Sequence, residues 1–157
     1  MKFIYFLAAS MLIFVSCEKE DTTDQNNNNN NNNNNTPSFS WKIEGDDYDY
    51  TDNSPAIDIN SSDVLTIDAS DNSVDIRLII YSFSSLSDVS EISLNNLTDK
   101  AYVTQNGVDY TDTQNGNLIF SEIVDSRLSG SFNFTCRELV NFQSVTVTDG
   151  IFSNITY

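Results

Sequence analysis

The sequence of residues 38–157 predicts an all-β domain, either an antiparallel β-sandwich or a flattened β-barrel of about 8–10 short strands. Apolar and polar residues alternate with a period of two in many short runs, as in strands that bury one face. Turn-forming residues separate these runs. No segment after Cys17 sustains the periodicity of a helix. The segment has a usual length for one domain with its own core.

The predicted strands follow one another along the chain, and each is recognised by the apolar residues of one face. The first strand carries Phe39, Trp41 and Ile43, and Gly45-Asp46 predicts the turn after it. The inward residues of the later strands are Leu65, Ile67 and Ala69; Val74, Ile76, Leu78 and Ile80; Ile92 and Leu94; Phe132, Phe134 and Cys136; and Val145 and Val147. Ile79 and Tyr81 make the end of one strand apolar on its other face too, so we expect that end to be covered on both sides.

Three further dipeptides predict turns between strands. Asn106-Gly107 predicts a tight hairpin, because both residues accept positive φ. Asn115-Gly116 predicts a second turn, and Asp149-Gly150 predicts a third one that leads into residues 151–157. Residues 118–124 are apolar with a change of phase, which indicates a β-bulge.

The chain opens with MKFIYFLAASMLIFVSC, which has the features of a lipoprotein signal peptide over residues 1–16. Lys2 supplies a positive start, and the apolar run that follows is shorter than the roughly 20 residues of a membrane-spanning helix. The segment FVSC at residues 14–17 resembles the bacterial lipobox, in which the chain is cut before the cysteine and the thiol is diacylated. The resemblance implies that Cys17 is lipidated, for example with palmitate. The alternative is a chance cysteine in an ordinary signal peptide.

Lys19, Glu20 and Asp21 follow the cysteine and resemble the export signal of Bacteroidetes-type lipoproteins that are moved to the cell surface. The resemblance implies an outer-membrane lipoprotein exposed at the surface, and a domain on the periplasmic face is the alternative. Residues 26–35 are an unbroken run of asparagines with no apolar residue to bury. We therefore predict that residues 17–37 form a lipidated, disordered tether.

The folded part carries a second resemblance. FSWKIEG at residues 39–45, LSGSFNFT at residues 128–135 and VTVTDGIFSNITY at residues 145–157 resemble a family of uncharacterised Bacteroidetes lipoprotein domains. That family combines a lipobox, a polar linker and one small all-β domain. The resemblance implies the same layout here, with a single domain over residues 38–157, and it implies no activity.

The composition excludes several kinds of chemistry. The chain has no histidine, which excludes Ser-His-Asp and Cys-His catalysis in their ordinary forms. Beyond Cys17, the single Cys136 cannot build a thiolate metal site. A net charge of −16 opposes nucleic acid as a partner. We expect no enzyme and no cofactor, although a glycosidase that uses two carboxylates stays open.

An acidic cluster at residues 44–52 is the one ligand-like feature of the domain. Asp47, Asp49 and Asp52 are weak metal candidates, since calcium prefers several oxygen ligands. On a strand, Asp47 and Asp49 face one way and Tyr48 and Tyr50 face the other. We therefore expect a solvated face and no metal site.

Together these features predict a lipid-anchored envelope protein of unknown biochemical activity. We interpret it as a surface-displayed binding module that is held to the membrane through Cys17 and that takes a protein or carbohydrate ligand. The alternative is a structural or accessory subunit of an outer-membrane or cell-surface assembly. An aromatic-lined groove favours the binding module, and a long unpaired edge strand favours the subunit.

Overall fold

A computed structural model describes residues 36–157, except for residues 51–54 and 72. The described residues form eleven strands, and one short 3₁₀ helix spans Phe83–Ser85. The strands are β1 (Ser38–Ile43), β2 (Asp46–Asp49), β3 (Ala56–Ile59), β4 (Val64–Asp71), β5 (Val74–Tyr81), β6 (Glu91–Ser93), β7 (Lys100–Gln105), β8 (Val108–Tyr110), β9 (Asp112–Val124), β10 (Arg127–Arg137) and β11 (Ser144–Thr156).

The strands form two antiparallel sheets that pack against each other, which confirms the predicted all-β class and identifies it as a sandwich. The six-stranded sheet has the order β2-β1-β11-β10-β9-β6, and the five-stranded sheet has the order β3-β4-β5-β7-β8. The edge strands β2 and β3 have four residues each, and the edge strands β6 and β8 have three. Such short edges limit pairing with strands of other chains.

The core lies between the sheets, and every residue predicted to point inward is buried. This agreement follows from the period of two, which places alternate residues of a strand on one face. Aromatic rings fill the centre: the ring of Phe39 lies 5.7 Å from Trp41, 5.1 Å from Phe132 and 6.2 Å from Phe152, measured between centroids.

Two predicted turns are present in the structure. Asn106 and Gly107 join β7 to β8 with φ angles of 52° and 78°, the two positive values that a tight hairpin turn requires. The turn after β1 lies at Glu44 and Gly45, one residue earlier than predicted, and Gly45 has a φ of 93°.

The turns predicted at Asn115-Gly116 and Asp149-Gly150 are wrong. Asn115 and Gly116 lie inside β9, where Gly116 pairs with Phe134 of β10. A Cβ atom on Gly116 would lie 2.4 Å from the Cβ of Phe134, so the glycine permits close strand packing rather than a turn.

Asp149-Gly150 lies inside β11 and forms a bulge. The register with β10 runs from Phe132 opposite Gly150 to Phe134 opposite Val147, so β11 carries one extra residue. Asp149 takes a φ of 51° at this point. The bulge predicted within residues 118–124 is confirmed, because the β9–β10 register also shifts there.

The expectation that the end of β5 is covered on both faces is wrong for its last residue. Tyr81 is 46% exposed, although Ile79 beside it is half-buried. None of the described residues belongs to a helix that is long and apolar enough to cross a membrane.

Candidate functional site

The predicted lipidation and export residues cannot be placed in the fold. Cys17, Lys19, Glu20, Asp21 and the metal candidate Asp52 lie outside the described residues. The remaining metal candidates, Asp47 and Asp49, lie on β2.

Asp47 and Asp49 are exposed on the outer face of β2, as predicted, and Tyr48 turns toward the core. The ring of Tyr48 stacks on the Trp41 ring, with centroids 5.7 Å apart and an interplanar angle of 6°. Tyr50 also packs against the core. The alternation therefore separates the carboxylates from the tyrosines, and the phenol oxygens cannot complete a shell around Asp47 and Asp49.

A lysine already neutralises part of this acidic surface. The Nζ of Lys42 lies 3.6 Å from Oδ1 of Asp47 and 3.4 Å from Oδ2 of Asp149. The hydrogen bond to Asp149, followed by the charge of Asp47, raises the pKa of Lys42. Over the part of the chain that the structure describes, no three carboxylate or cysteine side chains come together as metal ligands.

A depression of about 930 Å³ surrounds the bulge in β11, and its lining includes Trp41, Lys42 and Gly150. The indole N–H of Trp41 is buried and has no hydrogen-bond partner within the described residues. The Lys42 ion pairs with Asp47 and Asp149 lie in this depression.

A second concavity, of about 510 Å³, lies on the five-stranded sheet, and we call it the outer groove. Its outward-facing side chains belong to two cross-strand rows that the register defines. The outer groove contains the row Asp68, Arg77 and Tyr102 and the row Ser70, Asp75, Thr104 and Asp109, with Thr111 beside them.

An ion pair fixes the centre of the outer groove. The Nε of Arg77 donates to Oδ1 of Asp68 at 2.6 Å, and its Nη2 donates to Oδ2 at 3.1 Å. This fork-on-carboxylate geometry holds the guanidinium in one plane. The hydrogen bonds from Arg77 to Asp68, followed by the Asp68 charge, raise the pKa of Arg77. In the next row, Thr104 Oγ1 donates to Asp109 Oδ1 at 2.8 Å.

Comparison with known proteins gives a family but no activity. Residues 35–156 match a family described as "Domain of unknown function (DUF6252)". The chain belongs to the DUF6252 family. No curated protein and no solved structure matches the chain. The match spans all eleven strands of the sandwich and agrees with the predicted resemblance to an uncharacterised domain.

The free thiol of the DUF6252 domain is buried in the core, where it was predicted to act as a small apolar residue. The Sγ of Cys136 donates to the carbonyl oxygen of Ala101 at 2.8 Å. The hydroxyl of Thr113 donates to the same oxygen at 2.7 Å and accepts from the Ala101 N–H at 3.2 Å. Burial raises the pKa of Cys136 to about 12, so the thiol stays protonated and unreactive at neutral pH.

An ion pair between a buried carboxylate and a half-buried arginine, at one end of the DUF6252 domain, was not predicted from the sequence. Asp112 is 7% exposed, and its Oδ2 accepts from Arg137 Nη2 at 2.6 Å and from Arg137 Nε at 3.0 Å. Its Oδ1 accepts from the side-chain amide of Asn96. The Arg137 guanidinium lies 5.5 Å from the centroid of the Phe142 ring. These contacts join two loops, and their polar groups satisfy one another, so we assign them a structural role.

Only part of the outer groove could be predicted from the sequence. The polar residues Asp68, Asp75 and Arg77 alternate with core residues, which predicts an outward face. Nothing in the sequence pairs β5 with β7, and this pairing is what places Tyr102 beside Arg77.

Proposed function

We propose that this protein is a lipid-anchored binding module that is displayed on the surface of a bacterial cell and takes its ligand in the outer groove. The observation that carries the proposal is the groove itself, in which Asp68 holds the Arg77 guanidinium and Tyr102 lies directly across from Arg77 on the next strand. Binding sites of this volume commonly combine a few fixed polar groups with aromatic surface.

The chemistry of the chain supports binding rather than catalysis. The sequence contains no histidine, and the thiol of Cys136 is buried and protonated. The carboxylates of the outer groove leave a carboxylate-based glycosidase as the enzymatic alternative. Asp68, one of these carboxylates, already accepts two hydrogen bonds from the Arg77 guanidinium.

The proposed location at the cell surface rests on the sequence at the start of the chain. Cys17 is the proposed lipidation site in the outer membrane, and Lys19, Glu20 and Asp21 form the proposed signal for surface export. Residues 17–37 would then lie between the lipid anchor and the domain. Two experiments test this location. Cys17→Ser should release the protein from membranes. Alanine at Lys19, Glu20 and Asp21 should protect the domain from protease added to whole cells.

One observation favours the second candidate function, a subunit of a cell-surface assembly. The loop between β10 and β11 exposes three apolar side chains, with Leu139 63%, Val140 77% and Phe142 65% exposed. Exposed apolar clusters of this kind are typical of contact surfaces between proteins. The short edge strands, by contrast, do not favour assembly by strand addition.

A capture experiment separates the two candidates. The lipidated protein is used as bait on intact cells and compared with Tyr102→Ala in the outer groove and Phe142→Ser in the loop. Tyr81→Ala is the matched control, because Tyr81 is an exposed tyrosine on the same sheet but outside the groove. Loss of captured material with Tyr102→Ala alone supports the binding module. Loss with Phe142→Ser alone supports the subunit.

A further inference from the structure

The hydrogen-bonding groups of the outer groove are mixed in character. Arg77 can only donate, the carboxylates of Asp75 and Asp109 can only accept, and the hydroxyls of Ser70 and Thr104 can do both. Neighbouring strands of the sheet are about 4.8 Å apart, so these groups form a closely spaced array. A ligand that satisfies them must offer many groups that both donate and accept. Sugar hydroxyls have this property.

Tyr102 supplies the aromatic surface of the outer groove. It is half-buried and lies directly across from Arg77 in the β5–β7 pair, so the two side chains share one face of the sheet. An aromatic ring packs well against a flat apolar surface while its polar edge stays in water. A pyranose ring has one face of C–H groups and an edge of hydroxyls, which fits a ring beside hydrogen-bonding groups.

The charges of the outer groove exclude other ligand classes. An anion would meet the carboxylates of Asp68, Asp75 and Asp109 and a chain with a net charge of −16. A cation would be drawn to Asp75 and Asp109, but it would meet the Arg77 guanidinium that Asp68 holds in place. A purely apolar ligand would cover these groups without replacing their hydrogen bonds to water.

We propose that the outer groove binds an uncharged glycan, with the ring of Tyr102 against one sugar and with Arg77 and the neighbouring carboxylates on its hydroxyls. The inference rests on the proposed function as a binding module and names the ligand class of the same groove. The uncharged hydroxyls of a glycan can pair with the donors and acceptors of the groove. They also avoid the repulsion that an anionic or a cationic ligand would meet there.

The test is a titration of the full chain, purified in a detergent without a sugar headgroup, against polysaccharides of known charge. The uncharged probes are glycogen, galactomannan and a mixed-linkage β-glucan, the anionic probe is alginate, and the cationic probe is polylysine. At 0.15 M salt we expect at least one uncharged polysaccharide to bind and the two charged probes not to bind. Raising the salt to 0.5 M should leave the dissociation constant of the uncharged probe unchanged.

Variants connect binding to the groove. Tyr102→Ala should weaken binding of the uncharged polysaccharide by roughly five- to tenfold, the size expected for one lost aromatic contact. Arg77→Ala should weaken it as well. Tyr81→Ala, which removes a tyrosine from the same sheet outside the groove, should leave the dissociation constant unchanged. Melting curves of all three variants check that each one is folded.

The outcomes separate this inference from the proposed function. The proposal of an uncharged glycan is overturned if no uncharged polysaccharide binds, or if polylysine or alginate binds in a way that depends on Tyr102. If whole-cell capture still depends on Tyr102 in that case, the binding module stands with another ligand class. If Tyr102→Ala changes neither the capture nor the titration, the proposed function and the inference both fail.

Discussion

Cys136 and Thr113 share the carbonyl oxygen of Ala101 inside the core, although Ala101 belongs to the opposite sheet. The two side chains thereby satisfy a backbone group that the short strand β8 does not reach, since β8 pairs with β7 only from Val103 onward. A buried carbonyl without a partner would destabilise the fold. The hydrogen bonds from Cys136 and Thr113 therefore take the place of those that a longer β8 would supply.

The buried thiol predicts a dependence of stability on pH. In a Cys17→Ser background Cys136 is the single thiol. Its pKa rises from 9.0 to about 12 on folding, because burial disfavours the thiolate. Above pH 9 the unfolded chain therefore loses a proton that the folded chain keeps. The free energy of unfolding should fall by up to about 1.4 kcal/mol per pH unit between pH 9 and 12, with no such loss below pH 9.

The measurement is a series of urea melts from pH 8 to 11, compared with the same background carrying Cys136→Ala. Tyrosines and lysines titrate in this range too, and the alanine variant subtracts their contribution. Parallel pH profiles for the two proteins would show that the Cys136 thiol is not buried as described.

Phe132 and Asn133 test the orientation of β10 at the scale of single residues. Phe132 is 3% exposed and packs on Phe39, whereas Asn133 is exposed. Phe132→Ala should lower the free energy of unfolding by about 3–5 kcal/mol, and Asn133→Ala should change it by less than about 0.5 kcal/mol. Denaturant melts measure both values, and the opposite order would mean that the strand faces are reversed.

At the scale of the elements, the central strands of the six-stranded sheet pair glycines with aromatic rings. Each glycine lacks a Cβ that would collide with a neighbouring strand. The collision would be with the Phe132 ring at Gly150, with the Phe152 ring and the Ile119 carbonyl oxygen at Gly130, and with the Cβ and backbone of Phe134 at Gly116. The pairs are Gly116 with Phe134, Gly130 with Phe152, and Gly150 with Phe132.

Gly150→Ala tests this pairing. The new Cβ would lie 2.4–2.6 Å from three atoms of the Phe132 ring, so the ring must shift within a packed core. We expect a loss of about 1–3 kcal/mol in the free energy of unfolding. In a Phe132→Ala background the same substitution should lower the free energy of unfolding much less, because the Phe132 ring is absent. Equal losses in the two backgrounds, measured by denaturant melts, would contradict the proposed collision.

The glycine pairs also explain which elements could be predicted from the sequence. The strand faces were predictable because an alternation of period two is a local signal. Asn115-Gly116 and Asp149-Gly150 were misassigned as turns, because a glycine that makes room for a residue on the neighbouring strand looks locally like a turn glycine. The residue across from each glycine is fixed by strand pairing, which no local pattern encodes.

At the scale of the whole molecule, the fold class could be predicted from the sequence but the outer groove could not, because strand pairing is not encoded locally. The all-β class follows from composition and alternation. The groove requires β4, β5 and β7 to be neighbours in a particular register, which brings Asp68, Arg77 and Tyr102 into one row. Register depends on contacts across the sandwich, so the outer groove becomes visible only in the structure.

The surplus of acid across the whole molecule makes its response to divalent cations a further test. The chain carries 23 acidic residues against 7 basic ones, and Asp47 and Asp49 are the described members of its metal candidates. We predict no specific calcium site at these residues. Lys42 already lies between Asp47 and Asp149, and Tyr48 faces the core rather than the carboxylates.

The deciding measurement is a set of melts of the full chain in EDTA, magnesium and calcium at matched ionic strength. A calcium site filled at 100 times its dissociation constant would add about 2.7 kcal/mol of stability, which raises the melting temperature of a domain of this size by roughly ten degrees. Screening of the negative charge raises it too, but magnesium then acts nearly as well as calcium. We expect equal, small rises with the two ions. A larger rise with calcium that disappears in Asp47→Asn with Asp49→Asn would show a true site, and Lys42 would then have to leave the carboxylates when the ion binds.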